Sequence, residues 1–492
     1  MPIPRRLLVA NRGEIAVRIV RACRDLGVSP VAVYAPVDAG APHVRMADRA
    51  LALPGDEPSK SYLNGPLLVD LARQYGAEAV HPGYGFLAEN PAFAAACEEA
   101  GIAFVGPPAS VLERCGDKAA ARAAAADAGV PVLPGTTPVD DESAEVEASA
   151  VGFPLLIKAV GGGGGKGIHL VRSPGELPGA LRLARGEAQT AFGDPRVYLE
   201  RWLDRARHVE VQILADAAGD VIHLGERACS VQRRHQKLIE ESPAPGLAPG
   251  VRASLAEAAV RVARALGYRG AGTIEFLVSG DEFFFLEVNA RIQVEHPVTE
   301  AVTGVDLVAA QIAIAGGDPL PLGQEDTRWS GFALECRISA EDPHGGFLPS
   351  LGRIDAIAEP AGPGIRVDSG IWQGQVVSRH FDPLLSKVVA SAPTREAAIA
   401  RMRRALSEYA VSGVATTIPF HLWALDQPAF AAGIYDVRFA EEWGDGPVSP
   451  EADRLAVLAA AAWYGRRLSI PALPSDGASP AWVAAARQGG LR

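Results

Sequence analysis

Lysine is nearly absent from this chain: of its 47 basic residues only six are lysine, Lys60, Lys118, Lys158, Lys166, Lys237 and Lys387. Against that background a lysine is either a chance survivor or a place where a compact ammonium serves and a planar guanidinium does not. Cysteine is scarce too. The five (Cys23, Cys97, Cys115, Cys229, Cys336) are odd in number, scattered and without a CxxC pair, which excludes a disulfide framework and a structural zinc site and suggests reduced thiols in the cytoplasm. No apolar run approaches the roughly 20 residues that span a bilayer. Arg5-Arg6 followed by Leu7 to Ala10 imitates an export signal, but Asn11-Arg12-Gly13-Glu14 ends it too early. Positive charge is also short: a net charge of -11 leaves no broad face for a phosphate backbone, so no nucleic-acid partner is expected. The turn Asn11 to Glu14 holds one glycine where a dinucleotide fingerprint needs three, which disfavours a nicotinamide cofactor.

What is present is length and apolar content: 492 residues, 48% hydrophobic, enough for about three domains at ~150 residues each. The start reads as strand (Leu7 to Ala10), amphipathic helix (Glu14 to Leu26) and strand (Val31 to Tyr34), the signature of a parallel sheet. Similar alternation follows at Ala79 to His81, Pro91 to Glu99 and Ile102 to Val105, and an alanine-rich helix from Lys118 stops at Gly129. From about 131 to 205 the pattern reads as strands with glycine-rich turns, a small separate lobe. Antiparallel strands are expected at Val209 to Leu214, Val221 to Leu224, Thr273 to Val278 and Phe283 to Val294, with a helix at Val251 to Leu266. Residues 331 to 440 read as mixed. Beyond about 445 the chain is rich in Ala, Gly and Pro, with one helix expected at Glu451 to Tyr464.

Two patterns carry chemistry. Pro154 to Lys158, Gly161 to Gly165, Lys166-Gly167 and Ile168 to Val171 make a strand, a glycine loop and a strand, a hairpin flap whose bare N–H groups can approach phosphate. It is no Walker A loop, and by composition alone a flexible linker is the alternative. In the second pattern Glu287, Asn289, Arg291, Gln293 and Glu295 alternate with apolar residues, so a strand would turn all five to one face. Alternation alone equally fits a half-exposed edge strand. An acidic partner argues otherwise: a three-residue loop at Gly280 to Glu282 would set Glu275 opposite Glu287, whereas a two-residue loop would send them to opposite faces. Such like charges repel unless they grip a hard cation such as Mg²⁺.

Val9 to Ala16, His81-Pro82-Gly83-Tyr84-Gly85-Phe86, the glycine flap, Gln232-Arg233-Arg234-His235-Gln236-Lys237, Gly270 to Phe276, Asn289 to Thr299, Glu335-Cys336-Arg337-Ile338 and Ala340-Glu341-Asp342-Pro343 together resemble the biotin carboxylase family, in order from about residue 3 to 445. The resemblance implies an α/β ATP-grasp fold: an N-terminal Rossmann-like parallel-sheet domain (1–115), an ATP-grasp domain (116–330) with its flap lobe (about 131–205), a mixed C-terminal domain (331–445) and a loose tail (446–492). It implies ATP contacts at Lys118, Lys158, Gly163, Gly164, Gly165, Lys166, Gly167 and His208, with Glu200 and Leu203 near the adenine and Gln232 and His235 lining the nucleotide site. Glu275, Glu287 and Asn289 would hold Mg²⁺ or Mn²⁺. Lys237, Arg291, Gln293 and Val294 would hold bicarbonate and Glu295 would take its proton; the anion would attack the γ-phosphate of ATP, releasing ADP and giving carboxyphosphate, which would break down to CO₂ and phosphate, while Arg337 would stabilise the biotin oxyanion. His81, His296 and Asp382 read as structural.

A biotin-bearing lysine is not expected in this chain, since Lys387 is the last, so biotin would arrive on a carrier protein. The partners implied are a second copy of the chain, a biotin carboxyl carrier protein and a carboxyltransferase subunit, in an acyl-CoA carboxylase of fatty acid biosynthesis. The tail from Ser449 resembles the segment that follows this domain in longer α-chains. Arg201, Arg438 and Phe381 depart from the family pattern, which frequently has Lys, His and Tyr there. The alternatives are another ATP-grasp ligase, such as a carbamoyl-phosphate synthetase half, and a silent carrier-docking subunit; the Arg291 to Glu295 and Glu335 to Arg337 motifs speak against the first.

Overall fold

Leu7, Leu8 and Val9 are buried, as a strand covered on both faces must be. They lie in Arg6–Val9, the middle strand of a parallel sheet with spatial order Arg49–Ala52, Ser29–Tyr34, Arg6–Val9, Ala79–His81, Ala103–Phe104. This is a doubly wound sheet whose order reverses at Arg6–Val9. The loops after Arg6–Val9 and Ala79–His81 therefore open on one crevice, which Asn11, Glu14, Tyr84 and Phe86 line. The computed structural model describes residues 3–161, 167–444 and 446, and Met1–Asp445 is one compact unit. The tail helix expected at Glu451 to Tyr464 lies outside the described residues.

A second sheet carries most of the chemistry. Its eight strands run in the order Glu282–Asn289, Gly270–Ser279, Arg207–Ala215, Val221–Arg233, Gln236–Ser242, Phe332–Ser339, Leu384–Ala392, Ile365–Ser369, every pair antiparallel. The sheet runs through residue 330: Gln236–Ser242 pairs directly with Phe332–Ser339. The strand expected at Val221 to Leu224 continues to Arg233, crossing an irregularity between His223 and Glu226 beside Gly225, whose φ is +85°. Gln236–Ser242 itself was not expected, because its turn residues Arg234 and His235 give no glycine signal although both have positive φ.

The flap lobe holds more helix than its glycines suggested. Ala144–Val151 and Leu177–Phe192 are helices, packed on a three-stranded sheet of Ile168–Val171, Leu155–Ala159 and Val197–Arg201. Alanine and leucine at helical spacing win there over the local glycines. The hairpin reading of the flap is right, since Lys158 pairs with Ile168 across antiparallel strands. Asp117 caps the helix Lys118–Asp127 by accepting from the N–H groups of Ala119 and Ala120, which places Lys118 on its first turn.

Candidate active site

The turn between Gly270–Ser279 and Glu282–Asn289 has two residues, Gly280 and Asp281, because Ser279 pairs with Glu282. By pleat alone this would part Glu275 from Glu287. A bulge corrects it: Phe276 pairs with Phe285, Leu286 is the extra residue, and Glu275 then lies opposite Glu287. The strand ends at Asn289, so the expected alternation to Glu295 is not one strand. Residues 290–295 are a bent segment, and Glu295 is the N-cap residue of the helix His296–Thr303. Pro297 in that helix's first turn favours the change. Glu287, Asn289, Arg291, Gln293 and Glu295 nevertheless all line one cleft of about 1440 Å³, and none is exposed.

Lys118, Lys158, Glu200, Leu203, His208, Gln232, His235, Lys237, Glu275, Val294 and Arg337 line the same cleft. Gly163, Gly164, Gly165 and Lys166 lie outside the described residues. Gly167 does not line the cleft; it borders a shallow groove with Arg182 and Glu187, and its positive φ and close approach to Ala159 require glycine there. Lys158 is ion-paired with Glu200, joining the expected phosphate and adenine ends. Among the expected structural residues, His81 Nδ1 accepts from Gly83 N–H at 3.0 Å and His296 Nδ1 lies 2.8 Å from Gln293 O.

At the centre one ammonium meets three acids. Lys237 Nζ is 2.8 Å from Glu275 Oε1 and 2.7 Å from Glu295 Oε1, and it also pairs with Glu210. Glu275 further binds His208 Nε2 at 2.7 Å, Asn289 Nδ2 at 2.9 Å and Gln293 Nε2 at 3.0 Å. Burial would raise the Glu275 carboxyl, but Lys237 and His208 outweigh it and hold it well below the usual range. Glu295 behaves likewise: Lys237, Arg337 and Arg227 overcome its desolvation and keep it ionised. Oxygens of Glu210 and Glu275 converge with His208 as a metal cage would, but the cation among the two acids is Lys237. Glu287 is different. Its side chain is 37% accessible, and its ionic neighbour is Lys118 at 3.6 Å. An acid pair with one member open to the cleft and an amide beside it fits a hard cation that keeps water and phosphate in its shell.

The neighbouring cations are placed as firmly. Arg291 donates from Nε to Glu89 at 2.9 Å and from Nη2 to Asn289 at 2.9 Å. Arg337 is half-buried, and shares its guanidinium between Glu295, 2.9 Å from Nη2, and Glu240, 2.6 Å from Nε. His208 lies within the strand Arg207–Ala215.

Several residues that shape this site carry no local pattern that would single them out. Arg227, fully buried, donates to Glu210, Gln212, Thr299, Thr273 and Gln293, which satisfies its whole fork. Lys387, also fully buried, donates to Val294 O at 2.7 Å and lies 3.1 Å from Glu14. Glu89, Glu210 and Glu240 complete the set. The rarity of lysine was the one available hint, and it marked Lys387 no more than the other five.

Three family models match the chain: "Biotin carboxylase, N-terminal domain" over residues 3–112, "Carbamoyl-phosphate synthase L chain, ATP binding domain" over 117–322 and "Biotin carboxylase C-terminal domain" over 335–442. Biotin carboxylase 1 of Bacillus subtilis is 49% identical over 443 residues, covering 89% of this chain and 98% of that protein. The 2-oxoglutarate carboxylase small subunit of Hydrogenobacter thermophilus is 47% identical over 441 residues, covering 89% of this chain and 93% of that protein. Among solved structures, the biotin carboxylase domain dimer of Hydrogenobacter thermophilus 2-oxoglutarate carboxylase, in complex with MgADP, ADP and bicarbonate, superposes with a TM-score of 0.88 at 45% identity, covering 91% of this chain and all of that one.

Proposed function

The chain belongs to the biotin carboxylase family, and on that premise we propose how its cleft works as an ATP-dependent ligase that carboxylates biotin with bicarbonate. The observation that carries the reading is Glu295, a buried carboxylate held between Lys237 and Arg337, with Glu275, the strand partner of Glu287, on the same ammonium.

Lys237 and Arg291, with Gln293 and Val294, hold bicarbonate, whose planar oxygens suit paired donors. An anion there competes for the ammonium of Lys237. As Lys237 turns to it, Glu295 loses its strongest acidifying neighbour and gains the basicity to take the bicarbonate proton. Lys118, Lys158 and His208 contact the phosphates of ATP, Glu200 and Leu203 lie near its base, and Gln232 and His235 line the nucleotide site. Glu275, Glu287 and Asn289 fit Mg²⁺ or Mn²⁺, which supplies neutralising charge to the phosphate oxygens. Arg337 holds a fixed positive charge where the ureido oxygen of biotin becomes negative. Positioning and electrostatics account for the catalysis, as in phosphoryl transfer generally.

The biotin comes on a carrier protein and leaves for a carboxyltransferase subunit, which selects the acceptor, an acyl-CoA of fatty acid biosynthesis in the simplest case. Relatives named as subunits of pyruvate and 2-oxoglutarate carboxylases support a multi-subunit setting, and the dimeric neighbour supports a homodimer. Five buried, unpaired cysteines suit the reducing cytoplasm. The deciding experiment is bicarbonate-dependent ATP hydrolysis with and without free biotin. Stimulation by biotin is expected; hydrolysis that biotin leaves unchanged would indicate another ATP-grasp ligase, and no hydrolysis at all a silent carrier-docking subunit.

A further inference from the structure

Behind Arg337 lies a second pair of acids. Glu240 and Glu335 are direct partners across the antiparallel strands Gln236–Ser242 and Phe332–Ser339, so their side chains stand on one sheet face. Arg337, two residues beyond Glu335, shares that face, as does Lys387, the partner of Arg337 on the next strand. Both acids are completely buried. Facing like charges repel, and a buried carboxylate without donors is costly. Yet neither oxygen of Glu335 has a hydrogen-bond partner, and Glu240 Oε2 has none. Glu240 Oε1 alone is engaged: it takes Arg337 Nε at 2.6 Å and pairs with Nη2, the same nitrogen that lies 2.9 Å from Glu295 Oε2.

We propose that Glu240 is a positioning residue for biotin carboxylation, a carboxylate that fixes the Arg337 guanidinium beside Glu295 while Glu335, opposite it, stays a neutral acid so that the pair carries one negative charge. This rests on the biotin carboxylase reading and deepens it. When Glu295 takes the bicarbonate proton it becomes neutral, and Arg337 loses one of its two close anions. Glu240 is then the counter-charge that keeps the guanidinium directed at the ureido oxygen. Residue 335 fits the neutral role, since burial pushes its carboxyl far up and the pull of Lys387 does not restore it.

The grip has a pH dependence. Glu240 faces Arg337 and Glu335 on one neighbouring strand; charge also couples it to Glu295 at the start of His296–Thr303, to Lys237 on its own strand, to Cys229 on the other neighbour and, through the sheet, to Cys336. Burial pushes the Glu240 carboxyl up to about 7, with Arg337 opposing and Glu295 adding to the rise. Below that pH Glu240 takes a proton and releases its charge hold on Arg337; above it the hold is complete. A glutamine in its place imitates the protonated form at every pH.

The test uses the full-length chain with Mg·ATP, bicarbonate and free biotin, comparing wild type with Glu240→Gln from about pH 6 to about pH 9. The wild-type to variant ratio of biotin-stimulated turnover should approach one at the acid end and rise on the order of tenfold or more at the alkaline end. Bicarbonate-dependent ATP cleavage without biotin should fall less. Glu240→Asp, which keeps the charge, should restore the rising ratio of charged to neutral variant. Equal turnover of wild type and Glu240→Gln at all pH values, or a ratio that does not change with pH, would overturn the proposal. If the glutamine variant does not fold, the aspartate variant decides by itself: an acid limb retained near neutrality supports the proposal, and a flat profile overturns it. A wild-type enzyme that biotin does not stimulate would refute the proposed carboxylation of biotin instead, and this proposal with it.

Discussion

Lys237 Nζ lies 2.7 Å from Glu295 Oε1, and through the same ammonium, 2.8 Å from Glu275 Oε1, the expected base is joined to the expected metal ligand. One cation thus neutralises two acids that the proposed reaction uses differently. Its removal exposes both.

Replacing Lys237 by Met leaves Glu210, Glu275 and Glu295 buried without their common partner. Breaking a buried ion pair from one side costs about 3–5 kcal/mol, and a comparable loss is expected in urea unfolding of Lys237→Met. Bicarbonate-dependent ATP cleavage should vanish in the same variant. Adding Glu210→Gln should recover part of the stability and none of the activity.

Glu295→Gln keeps the shape and loses the base. Turnover should fall on the order of 10²-fold or more while ADP binding, measured by calorimetry, stays close to wild type. Glu287→Gln should show the complementary split: Mg²⁺-dependent ATP cleavage weakens sharply and the requirement for metal shifts to higher concentration. Wild-type metal dependence in Glu287→Gln would dismiss the acid pair as the metal site.

Arg227→Lys tests the buried hub. Lysine cannot reproduce a fork with five hydrogen bonds, and it leaves several of Glu210, Gln212, Thr273, Thr299 and Gln293 unpaired. A loss of about 2–4 kcal/mol is expected in chemical unfolding, with KM for bicarbonate rising because Gln293 loses its support.

Acid stability should depend on buried histidines. Burial lowers His43 to about 4, with Asp38 opposing and Arg12 assisting, and lowers His421 similarly to about 4. The unfolded chain takes up these protons near pH 6.5, whereas the folded chain does not until about pH 4. The contribution of each neutral histidine is therefore complete above the unfolded value and is lost as pH falls from about 6.5 towards 4, on the order of 3 kcal/mol each at the bottom of that window. In His43→Gln the slope of unfolding free energy against pH should be shallower across the same window; an unchanged slope would show that His43 does not carry it.

The parallel strands at Leu7 to Ala10 and Val31 to Tyr34, the helix opening at Lys118 and the flap hairpin about Lys158 were legible because each has an apolar run bounded by turn or glycine residues; the spatial order of the sheet was not. The helices Ala144–Val151 and Leu177–Phe192 were hidden by neighbouring glycines, and Gln236–Ser242 by a turn that places two non-glycine residues at positive φ. The alternation from Glu287 to Glu295 correctly grouped five residues of one cleft, though for only part of the right reason: the strand stops at Asn289 and the rest arrive on a bent segment.

By itself the sequence determined which chemical groups are available: two acids across a hairpin, a lysine retained where arginine dominates, and an arginine followed within four residues by a carboxylate. Those follow from residue type and short spacing, which act locally along the chain. The tertiary structure decided what holds them. A bulge at Leu286 returns Glu275 to the side of Glu287, and strand pairing over long sequence distances brings Lys387 beneath Val294 and Glu240 against Arg337. Charges so far apart in sequence acquire a common fate only when burial removes water from all of them together, and that depends on the sheet as a whole.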